Sequence, residues 1–324
     1  MLSYIKQPSC VSIFTMKTIF ITGGLGFIGS NFVISYLRKH PKDKIVVIDK
    51  RTYAADIRNL ADVLNRVTLE SVDIRNFELV EHLYKQYRPT ITYHFAAESH
   101  VGNSIIGDDD FVSTNIVGTH HILKCVRASG SRLIHISTDE VYGTVERGKF
   151  TEETPYNPRN PYSATKAASD HLVRAYINTH GINAVITNCS NNYGPRQHAE
   201  KFIPVVILNA KANRPIPIHG DGSSVRDWLF VMDHCEAVLR VGDKAPKGER
   251  YNIGGECEMN ILDTAKLVLD MMGKPHSLLE FVPNRPGHDQ HYAMEISKVS
   301  KAFKWKPATS FESGLKQTLE WYGA

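Results

Sequence analysis

The sequence has few cysteines and no arrangement in which they would act together. Its 324 residues include five, an odd number at wide spacing and without a CxxC pair: Cys10, Cys125, Cys189, Cys235 and Cys257. Such usage argues against a disulfide framework and predicts reduced thiols in a cytosol-like compartment. We therefore expect a cytoplasmic protein.

Long apolar runs and metal-ligand spacings are missing as well. No run approaches the ~18 apolar residues that a membrane-spanning helix needs, so no membrane partner is expected. The 15 histidines include the close pairs His120/His121 and His288/His291. Neither pair has a carboxylate or thiolate at a convincing ligand spacing, so no metal site is predicted.

Basic residues are not clustered. Lys and Arg number 38 against 34 Asp and Glu, a net charge of +4, and they are scattered along the chain. This pattern argues against a nucleic-acid partner and suits a small anionic ligand. Residues 1–16 show neither a continuous apolar segment nor an Arg-rich amphipathic pattern. We interpret them as a disordered extension rather than a targeting signal.

Strand and helix patterns alternate from residue 17 to residue 193. Apolar runs predict strands at 18–21, 45–48, 67–72, 91–95, 133–136 and 184–187, and helical stretches separate them at 27–39, 77–87, 111–128 and 162–179. This order predicts an α/β protein with a Rossmann-type doubly wound parallel sheet. Dense Pro and Gly after residue 193 predict a smaller C-terminal substrate-binding lobe over 194–324, with a helix near 233–241 that returns to the first domain.

A glycine-rich segment, GGLGFIG at residues 23–29, joins the first predicted strand to the first helix. Glycine lets the backbone turn tightly and approach a pyrophosphate, which the helix N-terminus then binds. Asp49 ends the next strand about 20 residues later. A carboxylate at this position accepts a hydrogen bond from the ribose 2′-OH of NAD and repels the 2′-phosphate of NADP. Asp49 favours NAD over NADP, although Lys50 and Arg51 beside it would suit a 2′-phosphate.

A second motif places Tyr162 and Lys166 four residues apart in a predicted helix. Side chains at this spacing share one helical face. A nearby ammonium lowers the pKa of a phenol, so we expect Tyr162 to take a proton from a sugar hydroxyl. A Tyr–Lys pair at this spacing is common by chance, but together with the glycine-rich segment and the strand that ends at Ser137 and Thr138 it becomes a specific signal.

Together these motifs resemble those of the extended short-chain dehydrogenase/reductases, and within them those of the nucleoside-diphosphate-glucose 4,6-dehydratases. The resemblance runs from about residue 17 to the C-terminus. It rests on the segments TGGLGFIGSN from Thr22, FAAESHV from Phe95, STDEVYG from Ser137, PYSATKAASD from Pro161, NCSNNYGP from Asn188, GDGSSVRDW from Gly220, YNIGG from Tyr251 and NRPGHD from Asn284.

The resemblance implies a catalytic set made of Thr138, Asp139, Glu140, Tyr162 and Lys166. A dehydratase must remove the C5 proton of the sugar and expel the C6 hydroxyl as water, which calls for a base and an acid close together. By position, Glu140 is expected to be that base and Asp139 that acid. An alcohol dehydrogenase of the same fold would need only the Thr, Tyr and Lys.

The resemblance also implies ligand contacts and a homodimer. NAD contacts are expected at Gly23, Gly26, Phe27, Ile28, Gly29, Asp49, Lys50, Thr52, Asp73, Ile74, Ala96, Ala97, Ser99, Thr114, Ser137, Tyr162, Lys166 and Asn192. Contacts to the nucleotide sugar are expected at His100, Thr138, Asn191, Lys201, Phe202, Pro217, His219, Arg226, Asn260, Arg285, His288 and Asp289. The guanidinium fork of Arg226 would pair with diphosphate oxygens.

Two positions depart from the family pattern. Gly102 stands where the family often has Asp, so a carboxylate is missing near the mouth of the site. His219 stands where thymidine-specific members usually have Tyr, which resembles the plant-type enzymes. Because His219 replaces this Tyr, we predict UDP-glucose rather than dTDP-glucose as the substrate.

Two other functions stay open at this point. A UDP-sugar 4-epimerase or UDP-glucuronate decarboxylase on the same scaffold would share Tyr162 and Lys166, but neither needs Asp139 beside Glu140. A non-catalytic sensor of NAD or of a nucleotide sugar would need none of the four residues. Formation of a 4-keto product from UDP-glucose would separate the three hypotheses.

Overall fold

The structure is a computed structural model that describes residues 16–145, 147–284, 286–287 and 289–324. The predicted extension, except for Met16, lies outside the described residues, and so do the predicted substrate contacts Arg285 and His288. Within the described part of the chain, no helix is both long and apolar enough to cross a membrane.

A seven-stranded sheet in the order β10-β6-β5-β4-β1-β2-β3 forms the centre of the molecule, and all its strand pairs are parallel. Parallel strands with apolar residues on both faces must be covered on both sides. The strands are β1 (Thr18–Thr22), β2 (Lys44–Ile48), β3 (Val67–Glu70), β4 (Ile91–His94), β5 (Arg132–Thr138), β6 (Ala184–Cys189) and β10 (Arg250–Ile253).

Helices pack on both faces of this sheet and form two apolar clusters with it. The helices before residue 190 are α1 (Phe27–Lys39), α2 (Phe77–Tyr87), α3 (Val101–Ile106), α4 (Asp109–Phe111), α5 (Thr119–Ser129) and α6 (Pro161–His180). The predicted helix over 111–128 is interrupted by a π-helical segment, Val112–Gly118, between α4 and α5. Such π turns are often found at functional sites, and Thr114 lies in this one.

The C-terminal part of the chain builds two small sheets around a third apolar cluster. One has the order β11-β9-β7 and the other pairs β12 with β8. Their strands are β7 (Asn191–Tyr193), β8 (Ile216–His219), β9 (Val225–Phe230), β11 (Glu258–Asn260) and β12 (Leu279–Val282). The remaining helices are α7 (Phe202–Lys211), α8 (Val231–Lys244), α9 (Ile261–Met271), α10 (Ser297–Phe303) and α11 (Phe311–Trp321).

The C-terminal half also contributes to the central sheet. Helix α8 packs against α1, β5 and β6, and Val238 and Val241 of α8 are fully buried in the cluster beneath β1 and β4. Strand β10, which the sequence did not predict, adds the seventh strand beside β6. The sheet reverses its strand order between β1 and β4, and ligands of such sheets bind at the carboxyl ends of the strands near that point.

Candidate active site

A cleft of about 520 Å³ lies at the carboxyl ends of β1, β2, β4, β5 and β6, with β9 and α7 on its other side. Its volume is within the range of small-molecule sites. It brings together nearly all of the predicted contacts, and these line it: Gly23, Gly26, Phe27, Ile28, Gly29, Asp49, Lys50, Thr52, Ile74, Ala96, Ala97, Ser99, His100, Thr114, Ser137, Thr138, Asp139, Glu140, Tyr162, Lys166, Asn191, Asn192, Lys201, Phe202, Pro217, His219, Arg226 and Asp289.

The glycine-rich segment forms the turn between β1 and α1. Gly23 has a φ of +69°, and a Cβ at this position would come 2.7 Å from the Cα of Ala96. A Cβ at Gly29 would overlap the carbonyl oxygen of Gly23. Both positions therefore require glycine, and together they leave a cradle of backbone at the N-terminus of α1 that suits an anionic pyrophosphate.

Asp49 is fixed at the end of β2 by two backbone amides. Leu25 N donates to its Oδ2 at 3.0 Å and Arg51 N donates to its Oδ1 at 2.8 Å. The neighbouring Lys50 forms an ion pair with Glu98 at 3.2 Å. A carboxylate held at this position fits the ribose hydroxyls of NAD, and the pairing of Lys50 reduces the positive charge that a 2′-phosphate would need.

Thr138, Asp139 and Glu140 lie where β5 turns into a short 3₁₀ helix, Asp139–Tyr142. The Thr138 hydroxyl donates to Asp139 Oδ1 at 3.1 Å and accepts from Glu140 N at 3.3 Å, so it caps this helix. The Glu140 carboxylate accepts from Asn160 Nδ2 at 3.4 Å. Consecutive carboxylates thus face one cleft because the strand ends in a tight helical turn.

Tyr162 and Lys166 lie in the first two turns of α6. Asn160 caps this helix through a reciprocal capping box with Ser163, and Pro161 occupies the first turn, an arrangement typically worth about 1 kcal/mol. Lys166 Nζ donates to the carbonyl of Ile136 on β5 at 2.8 Å. The helix start and this bond fix both side chains against the end of β5.

Asp139 is buried, and the adjacent Glu140 is half-buried. Burial raises the pKa of Asp139 well above its ordinary value, and the negative charges of Glu140 and Asp227 add to the effect. Burial also raises the pKa of Glu140, as does Asp289, while Lys201 opposes the shift. A carboxyl with a raised pKa can hold a proton near neutral pH, which general acid catalysis requires.

The prediction for the Tyr162 phenol is wrong for the protein without a ligand. Burial raises its pKa well above the ordinary value, and the charge of Glu140 raises it further. Burial also lowers the pKa of Lys166, so this cation is itself weakened. A positive charge bound in the cleft would act in the opposite direction and lower the pKa of the phenol.

Arg226 and Asp289 lie together on the far side of the cleft. Arg226 Nη2 donates to the Asp289 carbonyl at 3.0 Å, and its guanidinium lies 4.5 Å from the Tyr292 ring centroid. The Asp289 carboxylate accepts from Tyr292 Oη at 2.6 Å and from Thr144 Oγ1 at 2.9 Å. His219 Nδ1 lies 3.1 Å from the carbonyl of Pro283. The contacts of Arg226 hold its guanidinium at the wall of the cleft, a group that suits an anionic ligand.

Two predicted contacts among the described residues do not line the cleft itself. The side chain of Asn260 caps α9 by accepting from Asp263 N at 2.7 Å, so its oxygen is engaged by the backbone. Asp73 lies in a surface pocket that adjoins the cleft, since Lys50, Thr52 and Glu98 line both, and it pairs with Arg75 at 2.8 Å.

Some residues of the cleft were not predicted from the sequence. Asn160 is the most informative, since it caps α6 and also donates to Glu140. The dipeptide Asn160-Pro161 with Ser163 three residues later is a helix-start signature that could have revealed it. Glu98 and Tyr292 also line the cleft; Glu98 lies between the predicted contacts Ala97 and Ser99, which could have revealed it, whereas Tyr292 belongs to none of the quoted motifs.

Gly102 is the second residue of α3, whose N-cap is His100. The His100 ring accepts from Asn103 N at 3.0 Å, and a Cβ at Gly102 would come 2.9 Å from His100 Cε1. Glycine at position 102, in place of the Asp that the family often has, lets the His100 ring approach the backbone of α3 closely. With His100 in this conformation, a side chain at position 102 would require the ring to move.

Comparison with known proteins decides the family. A family model described as GDP-mannose 4,6 dehydratase matches residues 20–318. A dTDP-glucose 4,6-dehydratase of Haemophilus influenzae is 46% identical, over 95% of this chain and 98% of its own. One from Mycobacterium tuberculosis is 47% identical, over 93% of this chain and 92% of its own. The chain belongs to the nucleoside-diphosphate-glucose 4,6-dehydratase family.

Solved structures agree with this family assignment. The dTDP-glucose 4,6-dehydratase DesIV of Streptomyces venezuelae, solved with NAD bound, superimposes with a TM-score of 0.92 at 40% identity and covers 94% of this chain and 97% of its own. A UDP-glucose 4-epimerase of Thermotoga maritima reaches a TM-score of 0.88 at 26% identity, over 94% and 98%. The predicted dehydratase family, Rossmann-type fold and NAD cofactor are confirmed.

The fit of the 4,6-dehydratase cleft to NAD leads to a first prediction. Gly29→Ala should lower the affinity for NAD about tenfold or more, because the new methyl group can be placed only by opening the backbone cradle, and overpacking of this kind costs roughly 1–3 kcal/mol. The measurement is the NAD content of the purified variant together with its NAD titration. Gly107→Ala is the matched control, since a Cβ there meets nothing within 4 Å. Full NAD retention by Gly29→Ala would show that the close backbone approach at Gly29 is not needed for NAD binding.

Proposed function

We propose that this protein converts dTDP-glucose to the dTDP-linked 4-keto-6-deoxyglucose. The observation that carries the proposal is the pair Asp139 and Glu140, which line the cleft beside Thr138 and Tyr162 at the end of β5. Oxidation at C4 alone requires a base for one hydroxyl. An adjacent acid and base are what elimination of water across C5 and C6 adds to that requirement.

Residues at the end of β5 and the start of α6 perform the first step. Tyr162 takes the proton of the C4 hydroxyl, and the Thr138 hydroxyl donates a hydrogen bond to the C4 oxygen. Lys166 holds the ribose next to the nicotinamide and supplies positive charge near the phenol. When bound here, NAD⁺ would supply a hydride acceptor for C4, and its reduced form would supply the hydride that C6 receives.

The two carboxyl groups perform the elimination. Once C4 is a ketone, the proton on C5 becomes acidic, and Glu140 takes it. Asp139 gives its proton to the C6 oxygen, which leaves as water. The raised pKa of Asp139 supports this division, because its burial beside Glu140 and Asp227 favours the protonated form that a general acid needs. Glu140 then returns a proton to C5.

Three observations bear on the nucleotide. Arg226, beside the buried Asp289, supports recognition of a diphosphate by its guanidinium fork. The relatives at 46% and 47% identity are named for dTDP-glucose, and they give no support to the uracil preference predicted from His219. His219 Nδ1 also lies within hydrogen-bond distance of the Pro283 carbonyl, so this ring nitrogen already has a partner within the protein. We therefore favour thymine.

A comparison of turnover on two substrates tests the nucleotide. We expect kcat/KM for dTDP-glucose to exceed that for UDP-glucose by about tenfold or more, since one buried methyl group discriminates by roughly 10–200-fold. His219→Tyr should keep this preference. An equal or higher kcat/KM on UDP-glucose would restore the uracil hypothesis and leave the dehydratase chemistry in place. Release of a C4 epimer in place of a 4-keto product would support the epimerase hypothesis.

Three further predictions remain proposals. A homodimer is implied by the family, and α3 with the π-helical segment exposes apolar side chains that a second copy could cover: Ile105, Ile106, Val112 and Val117. Ile106 is the most exposed of the four, at 89%. The cytoplasmic location inferred from the cysteines is the second proposal, and residues 17–193 and 194–324 stay the proposed division into two domains.

A further inference from the structure

A carboxylate that the proposed reaction does not use lies directly behind the catalytic pair. Asp170 follows Lys166 by one turn of α6, as Lys166 follows Tyr162, so the three side chains share one helical face. Asp170 is 1% exposed and Lys166 is 5% exposed. A buried charge of this kind is costly unless an opposite charge or several hydrogen bonds stabilise it.

Neighbouring elements hold the Asp170 carboxylate from several sides. Tyr156 Oη donates to Oδ2 at 2.7 Å, and Asn188 Nδ2 donates to the same oxygen at 3.1 Å. The second proton of the Asn188 amide goes to the carbonyl of Thr138 at 3.1 Å. His135 Nε2 lies 3.1 Å from Oδ1. These contacts connect Asp170 to the strand end that carries Thr138.

Two consecutive residues of β5 contact Asp170 and Lys166. His135 faces Asp170, and the carbonyl of Ile136 accepts from Lys166 Nζ at 2.8 Å. Burial lowers the pKa of His135, and the charge of Lys166 lowers it further. A neutral His135 can orient Asp170 but leaves its negative charge in place.

Lys166 is one cation that this charge can balance. Burial lowers the pKa of Lys166, whereas the charge of Asp170 raises it, and Cys189 of β6 acts in the same direction. The other titratable groups near this pair are four side chains that their pKa shifts keep neutral, His94 of β4, His135 of β5, Tyr156 and Tyr142, and a second cation, Arg250, on which Asp170 also acts. Arg250 lies 5.1 Å from the Tyr156 ring centroid.

We propose that Asp170 is a positioning residue of the catalytic centre, whose buried carboxylate keeps the Lys166 ammonium charged and in place beside Tyr162. Neither the cofactor nor the sugar needs to touch Asp170 for this role. The inference rests on the proposed function of Tyr162 and Lys166. It assigns a task to the network of His135, Tyr156 and Asn188 beneath them.

The charge state of Lys166 can be measured in the holoenzyme without turnover. The protein is labelled with [ε-¹³C]lysine, the Lys166 signal is assigned by its loss in Lys166→Arg, and its shift is followed with pH. Asp170→Asn should lower the titration midpoint of Lys166 by about 1–3 units, the usual effect of one opposite charge at close range. Asp170→Glu should lower it much less, because the charge is kept.

The pH profile of kcat/KM gives the second readout. An uncharged Lys166 leaves the Tyr162 phenol harder to ionise, so the acid limb should move to higher pH in Asp170→Asn and stay near the wild-type position in Asp170→Glu. Asp233→Asn is the matched control: Asp233 is 9% exposed and accepts from Ala308 N and Thr309 N, away from the cleft. This control should leave the limb in place.

The proposal is overturned if Asp170→Asn lowers kcat equally at every pH while the Lys166 midpoint stays unchanged, since that is the pattern of a structural residue. If Asp170→Asn does not fold, the double variant Asp170→Asn/Lys166→Met should fold, because it removes both charges of the pair. A double variant that also fails to fold would overturn the proposal. If the wild-type protein turns over no nucleotide sugar, the proposed function fails, and the Lys166 titration still tests Asp170.

Discussion

Replacing Tyr162 by Phe should abolish both halves of the reaction. Loss of one positioned acid or base typically lowers a rate by about 10²–10⁴, or roughly 3–5 kcal/mol of activation free energy. Because Tyr162 acts on the first proton, no reduced cofactor should build up before the block. The measurement is the near-ultraviolet absorbance of reduced cofactor in a single turnover, together with the yield of 4-keto product.

A second buried tyrosine provides the matched control. Tyr84 bonds to Thr92 at 2.7 Å within the α2–β4 packing and does not line the cleft. Tyr84→Phe should therefore keep the rate within a few fold and change only stability, by about 0.5–1.5 kcal/mol for one hydrogen bond. If Tyr162→Phe turned over as fast as Tyr84→Phe, another group would have to be the base for the C4 hydroxyl.

Replacing either carboxylate should separate oxidation from elimination. Asp139→Asn and Glu140→Gln keep the shape of the side chains but remove the proton transfer. The yield of 4-keto-6-deoxy product should fall about 10²–10⁴-fold, while C4 oxidation continues. Reduced cofactor should then accumulate on the enzyme to nearly one equivalent per site, the opposite of the result expected for Tyr162→Phe.

Glu152→Gln is the control for these two variants. Glu152 is 8% exposed and accepts from Asn252 N at 2.9 Å, so the control also removes a buried carboxylate, but one outside the cleft. It should show normal turnover without accumulation. Loss of cofactor reduction in Glu140→Gln, with substrate still bound, would show that Glu140 is not the base for C5. Unchanged turnover would mean that Asp139 and Glu140 only end the strand.

Local sequence predicted the parts of the site whose geometry is local. The glycines at 23–29, the Asp at the end of β2 and the 138–140 segment each lie within one strand–turn unit, and the structure places them where that unit requires. Helix α6 carries its own cap, Asn160, and its own i, i+4 pair. In each case neighbouring residues determine the backbone, so that their pattern is visible in the sequence.

Features that depend on distant residues were not predictable in this way. Strand β10 joins the sheet from beyond residue 194, and its four residues carry too short a pattern to be assigned by periodicity. The raised pKa of Tyr162 depends on burial by the folded chain and on Glu140, not on the spacing to Lys166. The contacts of Asp170 come from three elements.

In the proposed reaction the hydrogen removed from C4 returns to C6 of the same sugar. This transfer can be followed by incubating the holoenzyme with dTDP-glucose that carries deuterium at C4, with mass and NMR analysis of the nucleotide product. We expect a 4-keto-6-deoxyglucose with deuterium in its methyl group and no net change in the oxidation state of the cofactor. A product that keeps deuterium at C4, or a methyl group without deuterium, would rule this transfer out.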